Sequence, residues 1–88
     1  MSQPRVHRLD TTGLVCPLPV LLAARDMMQL AAGDVLELVG DDPGILEDIP
    51  AWVELNGYRL MSLEQEGERI LCRVEKTAKP GGASRRRR

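Results

Sequence analysis

The apolar positions change period several times along the chain, and each change marks an element. Val6 to Asp10 alternates and reads as a short first strand, closed by Thr11-Thr12-Gly13. From Pro17 to Ala31 apolar residues recur at helical spacing, with Gly33 just beyond as the stop. On a helical wheel Val20, Ala24, Met27 and Ala31 form the core face, and Arg25, Asp26 and Gln29 lie opposite with Leu18 and Leu22. Asp34 to Val39 is a second strand, with Leu36 and Leu38 on one face and Val35, Glu37 and Val39 on the other.

Asp41-Asp42-Pro43-Gly44 then opens a second helix, with Asp42 as N-cap and Pro43 as its first residue. Asp48-Ile49-Pro50 repeats that pattern inside it and predicts a kink or restart. Asn56-Gly57 ends it, since both tolerate positive φ. Tyr58–Glu64 and Arg69–Lys76 read as a hairpin, with Ile70, Cys72 and Val74 on one face of its second strand. The order β-α-β-α-β-β predicts an α/β (α+β) two-layer sandwich: a mixed four-stranded sheet with both helices on one face. Residues 1–77 form the expected domain, and 78–88 a disordered basic tail without apolar periodicity.

Composition narrows the function classes. The chain of 88 residues has one Trp, one Tyr and no Phe, so its core is aliphatic. It lacks the aromatic platform on which single-stranded nucleic acid stacks. All 13 acidic residues precede Lys76, whereas half of the 12 basic residues lie at or after it. An acidic body with a basic tail repels nucleic acid broadly and attracts basic protein surfaces. No apolar run approaches the roughly 18 residues of a membrane span, and the first ten residues lack a signal peptide's apolar core. A cytoplasmic location is therefore expected. The two cysteines, Cys16 and Cys72, are too far apart for a metal-ligand motif and suit free thiols in a reducing compartment.

The chemistry centres on Gly13-Leu14-Val15-Cys16-Pro17-Leu18-Pro19. With Cys16 as the N-cap of the first helix, Pro17 and Pro19 each remove an amide that would be idle at a helix start, and they stiffen the cap. The Leu18 amide is then the local donor aimed at the sulfur. The helix N-terminus favours a thiolate and predicts a modestly lowered thiol pKa. No base lies within the motif, and His7, the sole histidine, has no sequence link to it. Hydrolytic Cys-His chemistry is thus unsupported, whereas sulfur exchange needs only the thiolate. Leu18 and Leu22, with Arg25, form a candidate docking patch beside the thiol. Cys72 reads as core. Asp10, Asp42 and Asp48 read as caps of turns and helices; scattered, without a histidine partner, they make no metal site.

From Leu9 to Lys76 these residues resemble the TusA/SirA-like sulfur-carrier family. The likeness lies in "LD.TGLVCPLPV" with its Cys-Pro-x-Pro core, then "GD.LEL", "DDPG...DIP", "GY.L" and the closing hairpin. It implies the same two-layer fold and a Cys16 that carries a persulfide sulfur, with Gly13, Pro17, Leu18 and Pro19 setting the motif's geometry. It implies a sulfur donor such as a cysteine desulfurase or rhodanese, and an acceptor protein in tRNA thiolation, molybdenum cofactor synthesis or sulfur oxidation. No cofactor is expected beyond the transient persulfide, and a carrier is expected rather than a stand-alone enzyme. Leu18 stands where the thiolation carriers typically have Glu, so the partner stays open. The rival reading is an interaction or regulatory module in which Cys-Pro-x-Pro is only a rigid helix start.

Overall fold

The structure is a computed structural model that describes residues 5–77; the basic tail expected to be disordered lies outside the described residues. Its elements are β1 (Val6–Asp10), α1 (Leu18–Met27), β2 (Val35–Gly40), α2 (Ile45–Asn56), β3 (Arg59–Glu66) and β4 (Arg69–Glu75). This is the β-α-β-α-β-β order read from the periodicity. The strands form one sheet in the order β1-β2-β4-β3. β1 runs parallel to β2, while β4 is antiparallel to both β2 and β3. The sheet is mixed because the α1 crossover returns the chain in the same direction, whereas the β3–β4 hairpin reverses it.

Strand alternation sorts the side chains as expected. Leu36 and Leu38 lie in register with Val74 and Cys72, and with Ile70 they form the face on which both helices pack. Met27 of α1 and Ile45 and Ile49 of α2 close this core, each at most 1% exposed. On the opposite face Arg8, Glu37 and Arg73 stand side by side across β1, β2 and β4. Both guanidinium groups reach the Glu37 carboxylate, at 2.8 and 2.9 Å. The β3–β4 turn is Gly67-Glu68, with Gly67 at φ 63. Met61 is the extra residue of a β-bulge that re-aims β3.

Three local expectations need correction. α1 is shorter than Pro17–Ala31. Beyond Met27 the chain tightens into bonds from Gln29 N–H to Asp26 O and Leu30 N–H to Met27 O. The Asp34 carboxylate also draws back the Ala31 amide, at 2.9 Å, and Lys76 Nζ donates to the Met27 and Leu30 carbonyls at 2.9 and 2.8 Å. These side chains give the terminal groups partners outside a helical ladder.

The buried stripe of α1 is also rotated by about one position. Pro19, Ala23, Asp26 and Met27 are buried, whereas Val20 and Ala24 are only half-buried. Asp26 tolerates that place because its carboxylate accepts from His7 Nε2 at 2.9 Å and Arg25 Nε at 2.7 Å. α2, finally, continues through Asp48-Ile49-Pro50 without the restart and ends at Gly57 in the left-handed region, φ 74. Pro50 costs the helix one ladder bond without ending it.

Candidate functional site

The parallel pairing of β1 and β2 brings two loops together at the carboxyl ends of these strands: 11–17, leading into α1, and 41–44, leading into α2. Thr11 ties the first loop down. Fully buried, it donates to the Val39 carbonyl from its amide at 2.7 Å and from its hydroxyl at 2.8 Å. Asp41 then accepts the Gly13 amide at 3.0 Å, and Gly13 takes the turn at φ 87, where a side chain would be strained. Asp42 accepts both the Cys16 amide at 3.1 Å and the Gly44 amide at 3.2 Å. One carboxylate thus ties Cys16 to the loop before α2; Gly44, not Asp42, takes the N-cap position there, the helix starts at Ile45 and not Pro43, and no side chain caps it.

Gly44 permits that approach. A Cβ there would stand 3.1 Å from the Cys16 Cβ and 2.8 Å from Asp42 Oδ2. Cys16 is solvent-exposed, and its thiol donates to Asp48 Oδ2 from the first turn of α2. Asp48 and Asp42 thereby push the thiol pKa up from its ordinary value; the hydrogen bond to Asp48 is the main cause, followed by desolvation and then by the two negative charges.

Three expectations about the motif are reversed. Pro17, not Cys16, occupies the N-cap position, and no side chain caps the helix. The Leu18 amide donates to the Val15 carbonyl at 2.9 Å, so it is spent within the turn and does not serve the sulfur. With that donor diverted and a carboxylate in its place, the thiol form is favoured, where a modest lowering of the pKa was expected. Pro19 packs into the core as the second helical residue.

The apolar rim also differs in membership. Val15, Leu18 and Leu21 are exposed at 63%, 42% and 57%. Leu22, expected beside Leu18, is half-buried against the core, because the α1 stripe is rotated. Arg25 is exposed and engaged with Asp26, not with the cysteine. His7 pairs with Asp26 from the start of β1 and takes no part. Cys72 is fully buried on β4, where desolvation raises its thiol to about 11.

Asp48 is the residue that sequence reasoning assigned to capping alone. Its signal was present in the "DDPG...DIP" spacing, but nothing local says that this carboxylate meets a thiol 32 positions earlier. Among the described residues, no group of three or more His, Cys, Asp or Glu side chains is placed to hold a metal. No helix among them is long and apolar enough to cross a membrane.

An exposed cysteine in the first of two clasped loops, followed by Pro17 and Pro19, lies within the stretch matched by one family model. The model described as Sulfurtransferase TusA covers residues 7–76. The chain belongs to the TusA family. It is 35% identical over 71 residues to the Sulfur carrier protein TusA of Allochromatium vinosum, a match covering 81% of this chain and 93% of that protein. With the Sulfur carrier protein TusA of Pseudomonas entomophila it shares 37% identity over 70 residues, covering 80% and 88% respectively. A longer relative from Aquifex aeolicus is 34% identical over 70 residues, and this chain spans only 36% of its length. All of the loop-clasping residues, Gly13, Asp41, Asp42 and Gly44, fall inside the TusA match.

Proposed function

We propose that this TusA-family chain is a sulfur carrier that takes a sulfane sulfur onto Cys16 as a persulfide and passes it to an acceptor protein. The observation that carries this reading is the contrast between its two thiols. Cys16 is exposed on a loop held from both sides, whereas Cys72 is sealed in the core. In the loading step the Cys16 thiolate attacks the terminal sulfur of a donor cysteine persulfide. A new S–S bond forms at Cys16, the donor's S–S bond breaks, and the donor cysteine leaves as a thiolate. That thiolate takes up a proton equivalent to the one Cys16 lost, so no net oxidation occurs.

A cysteine desulfurase or a rhodanese is the proposed donor. The acceptor's pathway, whether tRNA thiolation, molybdenum cofactor synthesis or sulfur oxidation, is set by docking and not by the sulfur step. Val15, Leu18 and Leu21 supply an apolar rim beside the thiol for both partners, with Arg25 at its edge. A free exposed thiol persists in a reducing compartment, which supports a cytoplasmic setting.

Intact-protein mass spectrometry without reductant tests the proposal. Wild type, Cys16→Ser and Cys72→Ser are incubated with a cysteine desulfurase and cysteine, and separately with a rhodanese and thiosulfate. Wild type and Cys72→Ser gain the mass of one sulfur atom from at least one donor, and Cys16→Ser gains none. A folded wild type that gains none from either donor, or a Cys16→Ser protein that gains it equally, overturns the reading.

A further inference from the structure

Sulfur exchange requires Cys16 as a thiolate, yet the groups built around it favour the thiol. The loop that carries Cys16 and the first turns of α1 bring no charge, since residues 11–24 contain no ionisable side chain other than Cys16 itself. The β2–α2 loop brings Asp41 and Asp42, and α2 brings Asp48. At the same end of the sheet, Asp10 is bonded to Thr12, and Arg8 and Arg69 act on Asp10. Among the described residues no cation acts on Cys16.

Asp26, Asp34, Glu37 and Glu75 are ion-paired with the protein's own arginines. Asp42 and Asp48, which bond to Cys16, have no ion pair among the described residues. The rim of negative charge is therefore available to an incoming cation, next to the exposed Val15, Leu18 and Leu21.

We infer that Asp48 is a latch on the nucleophile: its carboxylate holds the Cys16 thiol protonated in the free carrier, and a lysine or arginine of the docked sulfur partner pairs with Asp48 and releases the thiolate. This rests on the sulfur-carrier reading and adds the chemistry of the partner's contact. Once the cation pairs with Asp48, the carboxylate no longer holds the S–H bond or repels a negative sulfur. The proton passes to solvent, the thiolate attacks the donor's terminal sulfur, and the departing donor thiolate recovers a proton. Atoms and charge balance with no oxidant. The physical benefit is restraint, because an exposed thiol kept protonated reacts slowly with stray electrophiles between encounters.

The test compares wild type with Asp48→Asn in two reactions. The first is alkylation by iodoacetamide, a small neutral reagent, followed by mass spectrometry from pH 6 to about 11. Each unit of lowered thiol pKa gains about tenfold in thiolate at neutral pH and loses about threefold in nucleophilicity. Asp48→Asn is therefore alkylated about threefold faster per unit of displacement, with its rate profile moved to lower pH. At the alkaline end, where both thiols ionise, the variant is slower by about threefold per unit of displacement; a rate that levels off there, with an unchanged circular dichroism spectrum, shows that the variant is folded and its thiol accessible.

The second reaction is sulfur loading at neutral pH from the donor protein that loads wild type. Here the latch is already open in the wild-type complex, so Asp48→Asn loads no faster. Unchanged or slower alkylation of the variant at neutral pH overturns the latch. Loading accelerated by the same factor as alkylation overturns release by the partner. If neither protein accepts sulfur from any donor while both alkylate, the carrier reading fails, and the alkylation profiles still decide the latch.

Discussion

Truncating Ile49 tests the packing on which the site rests. Ile49 is fully buried in the core beneath α2, directly after Asp48 in the chain. Ile49→Val removes one methylene, about 0.8 kcal/mol by transfer, within the roughly 0.5–1.5 kcal/mol typical of this change. Ile49→Ala removes three carbons, about 2.4 kcal/mol by transfer. A void that fails to collapse adds on the order of 24 cal/mol for each Å³. A total of about 3–4 kcal/mol for Ala compares with a whole-domain stability of roughly 4–13 kcal/mol for a chain of this length. The Ala variant thus loses a substantial share of the domain's stability, and the Val variant a small one.

Urea titration provides the assay, read by the fluorescence of Trp52, whose ring sits edge-on to Tyr58 at 5.4 Å. The midpoint is expected to fall in the order wild type, Val, Ala, with an unchanged slope. The Val variant keeps Cys16 loading, because Ile49 positions the helix without touching the thiol. An Ala variant that loses less than about 1 kcal/mol at constant slope would refute the packed α2–sheet interface.

Other expectations follow from particular contacts. Arg8 beside Glu37 holds its carboxyl below the usual range, Arg25 then His7 do so for Asp26 against opposing desolvation, and the Arg5 and Ala31 amides do so for Asp34. Because these folded-state values are depressed, their stabilisation is fully present above the ordinary carboxylate range and is lost as pH falls through and below it. Urea midpoints measured from neutral to acid pH should drop accordingly, and Glu37→Gln should flatten that acid limb. Gly44→Ala suits the backbone at φ −59 but sets a Cβ against Asp42 and Cys16; it should leave the circular dichroism spectrum intact and slow sulfur loading severalfold. Lys76→Met removes the two carbonyl contacts at the end of α1. It should cost about 1 kcal/mol, a fall of roughly 4–8 °C in Tm by calorimetry.

Periodicity, punctuation and one motif carried most of the architecture. Strand alternation at Leu36/Leu38 and at Ile70/Cys72/Val74 and the Asn56-Gly57 stop are short-range statements, and short-range sterics enforce them. The element order and the two-layer sandwich therefore stood in the sequence, as did Cys16 as the reactive candidate. Two helix expectations erred where a distant side chain intervened. Asp26 was read as a surface marker, because its partner His7 lies 19 positions away. The α1 terminus was read from Gly33, although Asp34 and Lys76 decide it sooner.

The electrostatics of the site were out of reach for the same reason. Within its own motif Cys16 has helix-start geometry and no charge, which favours a thiolate. The carboxylate that reverses this stands on α2, and only the parallel pairing of β1 with β2 brings the two helix entries together. A residue's type and period belong to the sequence. Its protonation belongs to the fold, because charges act through space and not along the chain.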